Sequence, residues 1–323
     1  MRRLLAGIAV GTFLVAASAC GSSDGGGASD KNASSGGTTT VKLGVIPIVD
    51  VAPVYLGQKK GFYAKHGLKL SLTTAQGGAA IVPGVVSGQF QFGFSNMTSL
   101  MVAQSNNVPV RAIANGAAST GVTGKDFGAI TVKKGSAISS PKQLEGKKVA
   151  VNTLKNINET AVRESVRKAG GDPAKVKFVE LAFDQMPAAL DSGQIDAAMV
   201  VEPALATVRS QGATEIASSL VDVAKDLTVA MYFTSNQYAQ QHPDTVKKFQ
   251  AATAESLAYA DTHPDEVRAI VTTYTKIPAA VLAKVTLPKW PAGANRASIE
   301  ALEQLGRQDG LFKTAPDLDK LLP

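Results

Sequence analysis

The sequence contains few of the residues on which common catalytic and metal sites depend. Its 323 residues include a single cysteine, Cys20, and three histidines, His66, His242 and His263. One cysteine cannot form a disulfide within the chain or supply a thiolate cluster for a structural metal. His242 and His263 each precede a Pro-Asp pair, which is typical of a helix start, and His66 lies near the end of a predicted helix. We therefore expect no cysteine- or histidine-based metal site.

Motifs of nucleophilic and metal-dependent catalysis are also missing. The sequence has no G-x-S-x-G elbow, no H-E-x-x-H pair and no clustered set of metal ligands. No dinucleotide-binding glycine pattern follows the first predicted strand. These absences argue against an enzyme: we expect no catalytic residue, cofactor or metal, and a binding function is favoured.

The charge distribution argues against a nucleic-acid partner. Aromatic residues make up only 6% of the chain, and the lysines are scattered rather than interleaved with them. Removal of the first 19 residues would leave 31 basic residues against 26 acidic ones. A nucleic-acid surface needs a concentrated basic stripe, so this excess is interpreted as ordinary surface charge.

The N-terminus has the pattern of an export signal. Basic Arg2 and Arg3 precede an uncharged run over residues 4–19 that ends in small residues. A transmembrane helix needs roughly 20 apolar residues, so this run is too short to span a bilayer comfortably. We predict a cleaved signal peptide over residues 1–19.

Cys20 permits two interpretations. Ala17 and Ala19 satisfy the A-x-A rule for ordinary cleavage, which would leave a free thiol. The stretch AASAC also resembles a bacterial lipobox, although Ala17 stands where that motif usually has Leu. Residues 20–39 are rich in Gly and Ser and are predicted to be a flexible linker. We expect that Cys20 is lipidated and anchors the protein to the outer face of the bacterial cell membrane.

A repeated corner indicates two similar α/β units. SGQFQFGFSN (residues 87–96) and SGQIDAAMVVEP (residues 192–203) each place Gly after a helical pattern and before an apolar strand. Strand and helix patterns alternate from residue 40 to 114, and the alternation restarts at residue 127. The segment 235–323 has a helical pattern interrupted by prolines. This order predicts mostly parallel sheets, with the chain crossing between the units near residues 127 and 228–234.

In open α/β sheets, ligands bind beyond the carboxyl ends of the strands. Each such position also has a purely structural alternative: a glycine there can simply permit a tight turn, and a Ser or Asn can simply cap the next helix. Asp50 can likewise be a cap, Phe183 and Tyr232 can stack on a ligand ring or fill the unit boundary, and Trp290 is expected to be a packing aromatic. The candidate ligand residues are Asp50, Gln76, Gly77, Gly78, Ser95, Asn96, Thr120, Asn152, Thr153, Asn156, Phe183, Glu202 and Tyr232.

Several segments together resemble a known family. They are KLGVIPIVDVAPVYLGQKKGFYAKHGLKLSL, QGGAAIVPGVVSGQFQFGFSN, LEGKKVAVNTL, SGQIDAAMVVEP and YFTSNQYAQQHPDTVKKF. Over residues 40–312 the chain resembles the solute-binding proteins of bacterial ABC importers. The nearest branch includes alkanesulfonate-, taurine- and nitrate-binding proteins and relatives that bind thiamine pyrimidine precursors.

This resemblance implies a two-lobe, type II periplasmic-binding-protein fold with two crossovers. Lobe 1 would comprise residues 40–127 and 234–323, with the helical C-terminal part packed on it, and lobe 2 residues 128–233. It also implies a monomeric lipoprotein that hands a small solute to a permease and, through it, to an ATPase subunit. The alternative is a secreted enzyme of pyrimidine or thiamine-precursor metabolism on the same fold.

The class of solute is left open by the sequence. Backbone amides at helix N-termini could hold a sulfonate or carboxylate, with Lys155 adding positive charge. Asp50 and Glu202 would repel such an anion if both faced it, and would suit the amino groups of a pyrimidine. Matching family members carry an acidic residue before the proline that corresponds to Pro203, which makes Glu202 the strongest candidate in the second lobe.

Overall fold

The computed structural model describes residues 37–323, apart from the side chain of Ala279. The predicted signal peptide, Cys20 and nearly all of the predicted linker lie outside the described residues. None of the helices found between residues 37 and 323 has both the length and the apolar composition needed to cross a bilayer.

Four strands from the first 115 residues and one later strand build a five-stranded sheet, called here the first sheet. Its strands follow the order β2-β1-β3-β10-β4, and β10 runs antiparallel to both of its neighbours. The strands are β1 (Thr39–Val45), β2 (Leu68–Thr74), β3 (Phe92–Asn96), β4 (Val110–Asn115) and β10 (Ala230–Ser235). The helices between them are α1 (Ala52–Lys60), α2 (Phe62–Lys65), α3 (Gly78–Val86) and α4 (Met97–Ser105).

The second sheet has the same design. Its order is β7-β6-β8-β5-β9, and β5 runs antiparallel to β8 and β9. The strands are β5 (Gly128–Val132), β6 (Lys148–Val151), β7 (Lys177–Glu180), β8 (Ala197–Val201) and β9 (Thr214–Ala217). The accompanying helices are α5 (Ile157–Lys168), α6 (Met186–Asp191), α7 (Ala204–Ser210) and α8 (Ser219–Val223).

In each sheet four strands share one direction, and the single opposed strand is the one that arrives from the other sheet. The sheets are therefore mixed, but most strands are parallel, and the predicted α/β fold class is confirmed. Strands β3, β5, β8 and β10 are buried along their whole length. Helices on both faces of a sheet require such continuous apolar strands.

The C-terminal part is helical, as its proline-punctuated pattern predicts. Helices α10 and α11 pack on α1, beside the first sheet. Helix α12 contacts α7, and α13 contacts both α4 and α5, so this part also touches elements beside the second sheet. The helices are α9 (Asn236–Gln241), α10 (Pro243–Thr262), α11 (Pro264–Val271), α12 (Ala279–Leu282), α13 (Arg296–Gln308) and α14 (Leu318–Leu321).

Two differences from the sequence prediction have local causes. The helical pattern of APVYLGQKKGFYAKHG (residues 52–67) predicts one helix, but the helix is broken at Gly61, whose φ of 81° is left-handed and ends α1. Strand β9 and helix α8 have 4 and 5 residues and were not predicted. Elements this short have too few residues to display a hydrophobic period.

Candidate ligand-binding cleft

A cavity of about 610 Å³ lies between the two sheets. Small-molecule sites in proteins usually measure roughly 300–1,000 Å³. Two of the predicted ligand residues, Gln76 and Phe183, are part of its wall. The wall beside the first sheet consists of Ile46, Pro47, Thr74 and Gln76. The wall beside the second sheet includes Phe183, Asp184, Pro187, Pro203 and Thr207. Residues 274–278 form a third side.

Gln76 and Asn152 join the two sides directly. The Gln76 side-chain amide donates to the Asn152 carbonyl oxygen at 2.7 Å, and the Asn152 side-chain amide donates to the Gln76 carbonyl oxygen at 3.2 Å. Gln76 follows β2 and Asn152 follows β6, so the ends of these strands face each other. The structure thus brings together two predicted residues from loops 76 positions apart in the chain.

The Gly77-Gly78 pair permits close contact here. A Cβ atom on Gly77 would lie 2.8 Å from Thr153 Cγ2, and one on Gly78 would lie 1.9 Å from Ser95 Oγ. Neither glycine has a positive φ, so close approach rather than turn geometry requires them. Gly77, Gly78, Ser95 and Thr153 therefore occupy one region, at the beginning of α3.

Asn96 connects the first turns of two helices. Its side-chain oxygen accepts a hydrogen bond from Ser99 N at 2.9 Å, which caps α4. The same oxygen accepts one from Ile157 N, the first residue of α5, at 3.3 Å. One amide oxygen therefore lies between the positive ends of two helix dipoles, a position that favours a partly or fully negative group.

Asn156 and Asn152 organise the start of α5. The Asn156 side-chain oxygen accepts from the backbone of Asn158 and Glu159, which caps the helix. The side-chain amides of Asn156 and Asn158 both donate to Asn152 Oδ1 at 2.7 Å. Asn156 was considered as a helix cap or as a ligand contact. The observed contacts show it as a helix cap.

Three hydroxyl groups in this region have no hydrogen-bond partner among residues 37–323. They belong to Thr98 and Ser99, in the first turn of α4, and to Thr153, which contacts Gly77. Thr98 is completely buried and Ser99 is 5% exposed. A buried hydroxyl without a partner is costly, so these groups are suited to hydrogen bonding with a ligand. Thr98 and Ser99 were not among the predicted residues.

Asp50 and Tyr232 lie deep beside the first sheet. Asp50 is 2% exposed, its Oδ1 atom lacks a partner within the described chain, and burial raises its pKa to about 7. Tyr232 packs against Phe94 and Phe249. Burial raises the pKa of Tyr232 well above its ordinary value, and its hydroxyl likewise finds no partner in the part of the chain described. Tyr232 therefore belongs to the aromatic core of the first sheet.

A sequence profile of the NMT1/THI5-like family matches residues 48–267, which is more than half of the chain. The chain belongs to this family. The matched region contains every predicted ligand residue described above, from Asp50 to Tyr232.

Individual proteins are similar to this chain in sequence or in fold. The chain is 28% identical over 214 residues to the taurine-binding periplasmic protein of Escherichia coli K12, covering 66% of this chain and 64% of that protein. The fold matches the MOPS-bound alkanesulfonate-binding protein SsuA of Xanthomonas axonopodis pv. citri, with a TM-score of 0.75, 15% identity and coverage of 89% and 99%. It also matches the nitrate-binding protein NrtA of Synechocystis PCC 6803, with a TM-score of 0.75, 16% identity and coverage of 88% and 86%. The two-lobe fold predicted for this NMT1/THI5-like chain is therefore shown.

Glu202, the strongest sequence candidate in the second half of this family member, has its oxygens already engaged. Oε2 accepts from Ala206 N at 2.9 Å, and Oε1 accepts from Thr286 N at 3.1 Å, with Arg209 Nη1 3.5 Å away. The residue is fully buried, and burial raises its pKa to about 7 despite these donors. Its contacts are therefore structural in this conformation, and a ligand contact stays a prediction.

Thr120 lies apart from the region around Gln76 and Asn152. Its hydroxyl donates to the Lys125 carbonyl at 3.1 Å, and its amide donates to Asp126 Oδ1 at 2.9 Å. These bonds form a turn in the connection between β4 and β5. The sequence rule selected Thr120 because it follows a first-sheet strand, but the chain has already left the sheet there.

Proposed function

We propose that the protein is the extracytoplasmic solute-binding component of an ABC importer. It captures a small organic solute between two lobes, one built on each sheet, and delivers it to a membrane permease coupled to an ATPase. Because β10 (Ala230–Ser235) belongs to the first sheet, the second boundary between the lobes lies near residue 230 rather than 234. The observation that carries this proposal is the cavity between the two sheets, where loops from both meet through Gln76 and Asn152. Membership of a family that includes periplasmic binding proteins supports it and favours binding over the alternative of a secreted pyrimidine-metabolising enzyme.

The solute in this proposal carries an oxyanion such as a sulfonate or carboxylate. Helices α3, α4 and α5 begin in one region, and their dipoles favour negative charge there. The hydroxyls of Thr98, Ser99 and Thr153 add donors that lack partners within residues 37–323. The sequence raised the objection that Asp50 and Glu202 would together repel an anion. This objection is weakened, because the carboxylate of Glu202 is directed to Ala206, Thr286 and Arg209.

The proposal is tested by identifying the solute that copurifies with the protein. Native mass spectrometry of protein from its own host should reveal a bound mass, and the released compound should carry a sulfonate or carboxylate. Titration calorimetry with taurine, an alkanesulfonate and an aminopyrimidine then compares the classes. Tight binding of the aminopyrimidine alone would contradict the oxyanion class, and turnover of the compound would contradict a binding role.

A further inference from the structure

The segment 285–291 contacts elements beside both sheets. At one end, Thr286 N donates to Glu202 Oε1 at 3.1 Å, and Arg209 Nη1 donates to Thr286 Oγ1 at 3.3 Å. Glu202 follows β8 and Arg209 lies in α7, so this end is attached to the second sheet. The attachment includes a buried carboxylate, which makes it stronger than a bond between neutral groups.

The middle of the segment pairs with the connection between the sheets. Ala118 N donates to Lys289 O at 2.9 Å, and Lys289 N donates to Ala118 O at 3.0 Å. Ala118 also forms an antiparallel bridge with Thr228, in the returning connection. Three antiparallel segments therefore lie side by side where the chain passes between the sheets, although only two of them cross covalently.

The far end is attached to the first sheet. Trp290, the only tryptophan of the chain, donates from its indole Nε1 to the Asp50 carbonyl oxygen at 3.1 Å. Asn115, at the end of β4, donates from its side-chain amide to Pro291 O at 2.6 Å. Asp50 lies in the one-turn helix Val49–Val51, and Val49 N donates to Glu202 O at 3.0 Å. Trp290 is 4% exposed, so its bond to Asp50 is shielded from water.

The two connections between the sheets, near Ala118 and Thr228, form the hinge of the two lobes. We propose that segment 285–291 is a third element of this hinge. Trp290 is then a positioning residue, because its bond to Asp50 makes the position of the Val49–Val51 turn depend on the relative position of the lobes. Residues 286–290 make three contacts: Thr286 bonds to Glu202 beside the second sheet, Lys289 pairs with Ala118 in the crossover, and Trp290 bonds to Asp50 in the turn beside the cleft. Rotation of one lobe must therefore displace the segment and, through the indole, the turn. A cavity of about 450 Å³ lined by Trp290, Pro291 and Asn115 gives the segment space to shift. The inference rests on the proposed function, in which a solute is captured by a movement of the two lobes relative to each other.

Hydrogen exchange on the full chain tests the role of Trp290 without any solute. Trp290→Phe keeps the aromatic ring and removes the donor, so the amides of residues 48–52 should exchange roughly 2- to 10-fold faster, as expected for one lost neutral hydrogen bond. Thr286→Pro, which removes the donor at the other end, should accelerate the same amides. The matched control is Gln250→Ala, which removes a 2.7 Å bond to Ile113 O in the same cavity wall and leaves segment 285–291 intact.

Lobe position is measured separately by fluorescence transfer. Cys20 is replaced by Ser, and fluorescent labels are attached at Lys69→Cys in β2 and Lys177→Cys in β7 to report the distance between the two sheets. Trp290→Phe should change the distribution of this distance. Acceleration spread evenly over the chain, or none at residues 48–52, would assign Trp290 a packing role only and overturn the inference. Because neither measurement uses a solute, such a failure is distinct from a failure of the proposed function.

Discussion

At the scale of single residues, the buried polar groups near the ends of the strands differ in whether they have hydrogen-bond partners. The hydroxyls of Ser99 and Thr153 have none within the described residues, whereas the carboxylate of Glu202 has two backbone donors and an arginine. Thr153 and Glu202 were both candidates from the sequence, and the structure distinguishes them by these opposite conditions. The hydroxyls of Ser99 and Thr153 therefore have unused hydrogen-bonding capacity within the described residues, whereas the contacts of Glu202 in this conformation are structural.

Ser99→Ala should weaken binding of an oxyanion solute. A hydrogen bond to a charged group contributes roughly 1.5–3 kcal/mol, so the dissociation constant should rise about 10- to 150-fold. Titration calorimetry with the copurified solute measures the change. Ser105→Ala is the matched control, since this serine is also buried in α4 but donates to Val102 O at the far end of the helix. Equal affinity of Ser99→Ala and wild type would remove Ser99 from the site.

Asp50 should make stability depend on pH. Its folded-state pKa of about 7 lies above the unfolded value, because burial disfavours the charged carboxylate. The folded state therefore binds more protons between pH 4 and 7, and stability falls as the pH rises through this window, by up to about 4 kcal/mol for this residue. Asp50→Asn should reduce this dependence in urea unfolding at pH 5 and pH 8, and the part that comes from Glu202, whose pKa burial also raises to about 7, should remain. The exposed Asp191→Asn should leave it unchanged; an unaltered slope in Asp50→Asn would refute the assignment.

At the scale of elements, three helices beginning in one region provide the common physical basis of the site. Asn96 caps α4 and also contacts the first residue of α5, and the glycines at the start of α3 allow Ser95 and Thr153 to approach. Each contact depends on the position of a helix start to within about one residue. The helix starts are therefore more sensitive to small displacements than the helix bodies.

Gly78→Ala should disturb this arrangement. The new methyl group would meet Ser95 Oγ and, at 2.8 Å, the Ser95 Cα atom, so backbone as well as side chain must shift. Overpacking of this kind costs roughly 1–3 kcal/mol. We expect a lower unfolding midpoint and weaker solute binding, measured by urea titration and calorimetry. Gly293→Ala is the matched control, because no atom lies within 4 Å of its added carbon; equal behaviour of the two variants would show that the contact at Gly78 relaxes freely.

At the scale of the whole molecule, the two sheets are joined by packed helices and by specific polar bonds beside a cavity. The reciprocal Gln76–Asn152 pair and the Val49–Glu202 bond span the cleft, and the connections near Ala118 and Thr228 lie at its base. A hinge movement of the lobes would break or re-form these polar bonds across the cleft.

Solute binding should reduce the size of the molecule in solution. The radius of gyration from small-angle scattering should be smaller with the copurified solute than without it, because closure brings the lobes together. Gln76→Ala should shift the solute-free protein toward the open form by removing one of the bonds across the cleft. Identical scattering profiles at saturating solute would contradict closure while leaving binding intact.

Membrane attachment should depend on Cys20. If this residue is acylated, the protein should incorporate labelled palmitate and partition into the detergent phase, and Cys20→Ala should abolish both. The reason is that no other cysteine exists to carry the lipid. A wild-type protein that stays in the aqueous phase with an unmodified thiol would identify the site as an ordinary cleavage site.

The sequence by itself determined the features that arise from contacts between near neighbours. Apolar strands, Gly-capped helices and proline breaks indicated the two α/β units and the helical C-terminal part, and the strand-end rule selected Gln76, Gly77, Asn96 and Asn152. These signals are local: a buried strand must be apolar, and a left-handed cap favours Gly, whatever the rest of the chain does.

Only the tertiary structure decided which buried polar groups form hydrogen bonds with each other. The Asn96–Ile157 contact joins residues 61 positions apart, and the Glu202–Thr286 bond joins residues 84 apart. Nothing in the local pattern around Glu202 reveals that its oxygens are occupied, or around Trp290 that it touches the turn containing Asp50. Hydrogen-bond donors and acceptors are satisfied in three dimensions, so the pairing of a buried polar group depends on how distant segments pack.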